Sequence, residues 1–230
     1  MDSYTLSIII PCYNEKEHVE ELVRRVIATP IKNKEIIIVD DKSTDGTSEL
    51  LDNVIAKMVT KVIHHEVNGG KGAALRTGIK NATGDIVIIQ DADLEYDPQD
   101  YETVVMPILK KECKVCYGSR FLAKKGLADG EYISNHLANK LLTMLSNFFT
   151  HQKLTDMETC YKAFRRDVIQ AVEICENRFG FEPEITSKIS KMRIRIKEVP
   201  ISYCPRSMQE GKKIGIKDGL RALICIFKYH

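Results

Sequence analysis

Short apolar or β-branched runs alternate with helix-period stretches through the first half of the chain. Leu6–Ile10, Glu35–Val39, Thr60–His64, Asp85–Ile89 and Lys114–Tyr117 read as strands, each bounded by turn-forming or polar residues. Between them, 17–28 places Val19, Leu22, Val23 and Val26 on one helical face, and 47–58 does the same with Leu50, Leu51, Val54 and Met58. A further helix is expected over 73–81. Alternation of this kind predicts an α/β fold in which a mostly parallel central sheet is flanked by helices. In such sheets ligands bind beyond the carboxyl ends of the strands.

That rule directs attention to the segments that follow the strands. Pro11-Cys-Tyr-Asn-Glu15 follows the first, Asp40-Asp41-Lys-Ser-Thr-Asp-Gly46 the second and Gln90-Asp-Ala-Asp-Leu-Glu95 the fourth. The last is the most informative. Two carboxylates one residue apart at a strand end, Asp91 and Asp93, can share an oxygen-seeking divalent cation with a diphosphate. Glu15 also suits a first-turn acid favoured by the helix dipole, and Asp40 and Asp41 also suit turn and cap positions before the 47–58 helix. Asn68-Gly-Gly-Lys-Gly72 precedes a helix but lacks the Lys-Ser/Thr ending of a P-loop and the spacing of a dinucleotide fingerprint. It is either a glycine-rich helix start or a set of backbone amides with Lys71 near a phosphate.

Composition narrows the classes. At 230 residues and 43% apolar content the chain is long enough for one large domain, 1–230, with a nucleotide half over about 1–120 and an acceptor half over about 121–230. A net charge of +2 is too small to argue for nucleic acid. Seven cysteines without a framework suggest reduced thiols, and the Met1-Asp-Ser-Tyr4 start shows neither the basic nor the apolar region of an export signal. A cytosolic location is the expectation. The run Ala222–Phe227 is far shorter than the roughly 20 residues of a spanning helix. Cys113 and Cys116 have redox or zinc spacing but no second pair; strand geometry should turn them to opposite faces.

Taken in order, Ile8–Glu15, Val39-Asp-Asp41, Asn68-Gly-Gly-Lys-Gly72, Asp91-Ala-Asp93 and Tyr117-Gly-Ser-Arg120 resemble family 2 glycosyltransferases. The branch they resemble contains dolichol-phosphate mannosyltransferases and other polyprenyl-phosphate hexosyltransferases. The resemblance implies a GT-A fold and a nucleotide diphosphate sugar donor, with GDP or UDP as the nucleotide. It assigns Pro11, Tyr13, Glu15 and Asp40 to the nucleoside, with Asp41, Lys71 and the Asp91-Ala92-Asp93 segment completing the donor site. Asp91 and Asp93 would hold Mg²⁺ or Mn²⁺, with Glu95 at a position where these enzymes commonly carry glutamine. Arg206, in Tyr203-Cys-Pro-Arg206 ahead of Gly211-Lys-Lys213, matches an arginine near the diphosphate. Arg120 matches an arginine at the acceptor phosphate, with a salt bridge as the alternative; Ser134 stands where further basic residues are often found.

A phosphomonoester acceptor, with its second pKa near ~6, is already an anionic nucleophile at neutral pH and needs no strong general base. The implied reaction is inverting transfer of mannose or glucose to a polyprenyl phosphate such as dolichyl or undecaprenyl phosphate. With a sugar hydroxyl as acceptor, a positioned carboxylate becomes necessary, and Asp156 is the candidate base. Asp93, Asp156 and Arg206 are therefore the catalytic candidates. A lipid acceptor also predicts a membrane-facing surface or a membrane partner. Leu137, Leu141, Leu145 and Phe148 form one apolar stripe, and Ile216, Leu220, Leu223, Ile224 and Phe227 form another opposite Lys217, Arg221 and Lys228. Both also suit core-facing helices.

Overall fold

The computed structural model describes residues 4–122, 133–205 and 216–230. Strands β1 (Thr5–Cys12), β2 (Asn33–Asp40), β3 (Lys61–His64), β4 (Ile86–Ile89), β5 (Val115–Ser119), β6 (Lys162–Arg165) and β7 (Ile196–Pro200) form one seven-stranded sheet in the order β3-β2-β1-β4-β6-β5-β7. All pairings are parallel except those of β6, which runs antiparallel between β4 and β5. The five expected strands are present, each shifted by no more than two residues at either end. β6 and β7 were not anticipated. Lys162-Ala-Phe-Arg165 is short and half polar, and only its partners on both sides make it a strand.

Helices α1 (Val19–Ala28), α2 (Thr47–Asn53), α3 (Lys71–Asn81), α4 (Tyr101–Leu109), α5 (Ile133–Thr150), α6 (Arg166–Gln170), α7 (Phe181–Lys191) and α8 (Ile216–Tyr229) complete the described elements. α1 buries Val19, Leu22, Val23 and Val26, the face its periodicity predicts. The expected 47–58 helix is shorter. It stops at the weak helix formers Asn53 and Val54, and a single 3₁₀ turn, Ile55–Lys57, carries on.

The core is continuous across the sheet, from Ile8, Ile10 and Ile38 to Tyr117, Phe164 and Ile185. Pairing of β4 with β6 joins the first half of the chain to the second. Gly72 closes the same seam on the helical side. A Cβ at this residue would lie 2.1 Å from the Glu176 carbonyl oxygen, so only glycine lets α3 approach the 174–180 segment.

Candidate active site

The loops after β1 and β2 are laced together at the carboxyl edge. Asn14, in the left-handed region at φ 52°, donates its N–H to Ser43 Oγ at 2.9 Å and accepts from the Thr44 N–H at 2.8 Å. The Glu15 N–H donates to Thr47 Oγ1 at 3.1 Å, and the Glu15 carboxylate lies 3.0 Å from His18 Nδ1. Pro11 and Tyr13 border this edge, Tyr13 being 39% exposed.

Asp40 and Asp41 are both buried and both act inside the protein. Asp40 accepts from the Ser43 N–H, Ser48 Oγ and His64 Nδ1 at 3.1, 2.6 and 2.9 Å. Burial raises its pKa, but these bonds outweigh burial and hold the carboxyl below its usual range. Asp41 accepts from the Gly69 and Gly70 N–H groups at 2.9 and 2.6 Å, and faces His65 Nδ1 at 2.7 Å. The second acid therefore braces the glycine-rich loop. In that loop the Ala73 N–H is taken by the Asn177 carbonyl at 3.1 Å. The glycines serve chain packing at least as much as they could serve a phosphate.

The acidic loop after β4 is held from below. Gln90, fully buried, accepts from both Tyr101 and Tyr161 hydroxyls at 2.7 Å and donates to the Asp91 carbonyl at 2.9 Å. The Asp91 N–H donates to Cys160 Sγ at 3.2 Å, and Leu94 takes a positive φ of 62°, a strained conformation for leucine. Lys71 bridges the Asp91 carboxylate and Glu182, each at 3.0 Å. Burial works against its charge, yet these two carboxylates hold its pKa well above the ordinary lysine value. Glu182, in the first turn of α7, was not anticipated. Its signal was the Glu182 and Glu184 pair following Gly180 at the head of an amphipathic stretch.

On the other side of this loop, Glu95 accepts from the Tyr203 hydroxyl at 2.9 Å, and the Tyr203 ring lies 5.1 Å from the Arg120 guanidinium. The Cys204 N–H donates to the Glu95 carbonyl at 2.9 Å, so the segment leading towards Arg206 is pinned to the acidic loop. Arg120 forks onto Asp156 through Nε and Nη2, both at 2.7 Å, and its backbone N–H adds a third bond at 3.1 Å. Asp156 is fully buried. Two candidates kept separate in sequence therefore form one ion pair, the alternative role foreseen for Arg120. Arg206 and Gly211-Lys-Lys213 lie outside the described residues, as does the side chain of Ser134.

Asp91 and Asp93 offer hard oxygen donors suited to Mg²⁺ or Mn²⁺. Among the described residues no three histidine, cysteine or acidic side chains gather as a closed metal cage. That donor set fits a cation whose remaining ligands come from a diphosphate and water. Cys113 and Cys116 depart from expectation. Cys113 precedes β5, and the two thiols are close enough to hydrogen-bond, which lowers the pKa of Cys113.

The sheet order, with an acidic loop at its carboxyl edge, is that of the GT-A architecture. The fold matches glucosyl-3-phosphoglycerate synthase of Mycobacterium tuberculosis in complex with UDP, with a TM-score of 0.75 at 18% identity over 98% of this chain and 80% of that one. The same enzyme in complex with Mn²⁺, UDP and glucosyl-3-phosphoglycerate gives a TM-score of 0.71 at 18% identity over the same shares of the two chains. The family model for glycosyl transferase family 2 matches residues 7–172, and the chain belongs to that family. Among its relatives, the dolichol-phosphate mannosyltransferase of Pyrococcus furiosus is 31% identical over 97% of this chain and 64% of its own length. The undecaprenyl-phosphate 4-deoxy-4-formamido-L-arabinose transferase of Edwardsiella ictaluri is 28% identical over 90% of this chain and 62% of its own length. The chain thus spans less than two thirds of either relative.

Proposed function

We propose that the chain transfers a hexose, mannose or glucose, from a GDP or UDP sugar to a polyprenyl phosphate, with inversion and with Mg²⁺ or Mn²⁺ at the acidic loop. The observation that carries the reading is the arrangement around Asp91 and Asp93. Lys71 and Glu182 lie on one side of the loop and the Arg120–Asp156 pair on the other, linked through Glu95 and Tyr203. Pro11, Tyr13 and Glu15 border the nucleoside, while Asp40 and Asp41 shape the loops around it. Asp91 and Asp93 would hold the cation, whose charge would offset that of a departing nucleoside diphosphate. Lys71 adds positive charge beside that group and Arg120 receives the acceptor phosphate, while Arg206 and Ser134 are assigned to the diphosphate and the acceptor phosphate by the family resemblance alone.

Two of the five guanidinium N–H groups of Arg120 face Asp156 and the Tyr203 hydroxyl takes a further bond, so an acceptor phosphate would meet only the rest of the fork. The same fork weakens the glycan-hydroxyl alternative. Both Asp156 oxygens already accept from the Arg120 guanidinium, so neither is aimed at an incoming sugar hydroxyl. Asp156 is better suited to orient Arg120.

The lipid part of the reading rests on α5 and α8. Leu137, Leu141, Met144 and Phe148 stand exposed along α5, Phe148 at 72%, beside Leu220, Ile224 and Phe227 of α8. The helices touch through Phe149 and Phe227, whose ring centroids are 5.3 Å apart. Leu145 instead packs on the core, as the alternative reading of that stripe allowed. Two adjacent apolar stripes of this size suit peripheral docking on a membrane at its cytosolic face. Among the described residues no helix is long and apolar enough to cross a bilayer. The basic side of α8 does a different job from the one its sequence suggests: Arg221 forks onto Glu176 at 2.7–2.9 Å and Lys228 adds a contact at 3.1 Å, tying the helix to the body.

The test is transfer of labelled sugar from UDP and GDP hexoses to a short polyprenyl phosphate, followed by organic extraction. Label in the organic phase that disappears on chelation is the expected result. Label that stays aqueous for every donor overturns the lipid-phosphate assignment.

A further inference from the structure

Two acceptor atoms at the site have no donor. Glu158 Oε1 and Glu182 Oε2 are buried without a hydrogen-bond partner, and Glu182 as a residue is only 4% exposed. Buried polar atoms in native structures are nearly always paired, so two orphans in one site call for an explanation.

Their position supplies one. Glu182 Oε1 is occupied by Lys71, the residue that also holds Asp91, so its second oxygen lies beside the diphosphate end of the site. Glu158 sits midway along a short segment with its neighbours fixed. Two residues before it Asp156 grips Arg120 at the acceptor end, and two residues after it Cys160 accepts the Asp91 N–H. The orphan acceptors therefore lie between the pole that would hold the donor phosphates and the pole that would hold the acceptor phosphate. In a transfer reaction the group between those poles is the sugar, and a hexose is covered with hydroxyl donors.

We propose that Glu158, with Glu182 beside it, lines the donor-sugar subsite and accepts hydroxyl hydrogens of the hexose, making Glu158 a specificity-determining residue. This rests on the glycosyl-transfer reading above and names the part of the site that reads the sugar. A second feature agrees with it. Burial, and then the charge of Glu182, push the Glu158 carboxyl up to about 8, so near neutral pH it is largely uncharged. A neutral carboxyl can exchange hydrogen bonds with a sugar hydroxyl in both directions. Binding pockets built to hydrogen-bond a hydroxyl discriminate strongly against analogues that lack it, because the buried partner is left unpaired.

The experiment is calorimetric binding of UDP, GDP, UDP-glucose and GDP-mannose to the full chain and to Glu158→Gln, with Mn²⁺ present. The nucleotide diphosphate should bind both proteins within about twofold. The preferred nucleotide sugar should lose roughly tenfold or more in the variant. Deoxy analogues of the same sugar provide a measurement on the unaltered protein. One of them should bind about tenfold more weakly than the parent, and Glu158→Gln should erase that difference. Wild-type protein that binds no nucleotide sugar would remove both the glycosyl-transfer reading and this one. Nucleotide-sugar binding that is intact in the variant, with an unchanged deoxy-sugar profile, would remove only the role of Glu158.

Discussion

The two halves of the site are built on different terms. On the side proposed for the nucleotide, the segments after β1, β2 and β3 satisfy one another: Asp40 and Asp41 each accept three bonds from their own loop or the elements around it, and the chain there is held by its own polar groups. Around the acidic loop and beyond it, Arg120 and Asp156 form a buried pair, Glu158 and Glu182 keep orphan oxygens, and α5 and α8 show apolar faces to the surroundings. A self-satisfied frame suits a nucleotide that is the same in every turnover. Under the proposed function, unsatisfied groups fall where sugar, acceptor and membrane would be admitted in turn.

The sharpest way to break this contrast lies at the acidic loop between the halves. Asp93→Asn removes one oxygen ligand and should lower metal-dependent transfer about 10³-fold, with thermal unfolding unchanged; activity that survives both the substitution and chelation would sink the metal assignment. Next in size is Arg120→Ala. It strands the fully buried Asp156, so unfolding by denaturant should show a loss of about 3–5 kcal/mol. Arg120→Ala combined with Asp156→Ala should recover part of that stability while acceptor use stays impaired. Equal stability in the single and double variants would mean that the pair is not coupled.

The same contrast explains what could be read in advance. Strands β1, β2 and β4 are continuous apolar runs followed by acidic turns, so both the sheet and Asp91-Ala-Asp93 were legible from local pattern. β6 was not, because Lys162–Arg165 becomes a strand only through partners some 75 residues earlier in β4 and about 50 earlier in β5. Arg120 and Asp156 were each visible as candidates, yet their pairing joins positions 36 apart. Glu158 and Glu182 matter through burial and a missing donor, properties that no spacing encodes. That Arg221 and Lys228 also tie α8 to the body could not be read in advance, because the sequence does not show that Glu176 lies beneath them.

Glu176 sharpens the comparison at the level of α8. Burial alone would raise its pKa, but Arg221, Tyr229 and Lys228 together bring the carboxyl down to about 2. A depressed carboxylate contributes stability that is complete above its unfolded pKa, near ~4.3, and fades as pH falls towards about 2. Glu176→Gln should therefore cost about 2 kcal/mol at pH 7. Its acid-unfolding curve should begin to approach that of the parent below pH ~4 and meet it near the folded pKa of about 2. A constant gap between the two curves down to pH 2 would show that the contacts act through packing and not through charge.

The smallest effect is expected where nothing in the fold is at stake. Phe148 is 72% exposed and meets Phe149 edge to face at 5.2 Å, so the body of the protein gains little from it. Phe148→Ser should shift folding stability by no more than about 0.5 kcal/mol. If α5 and α8 lie in a bilayer interface, the same change removes one aromatic side chain from the buried face, and partition onto vesicles of neutral phospholipid should fall roughly tenfold. Co-sedimentation at low and high salt separates this apolar contribution from charge, since only charge attraction is screened. Undiminished vesicle binding by Phe148→Ser, or binding that vanishes with salt, would place the membrane contact elsewhere. The apolar stripe would then need a protein partner to cover it.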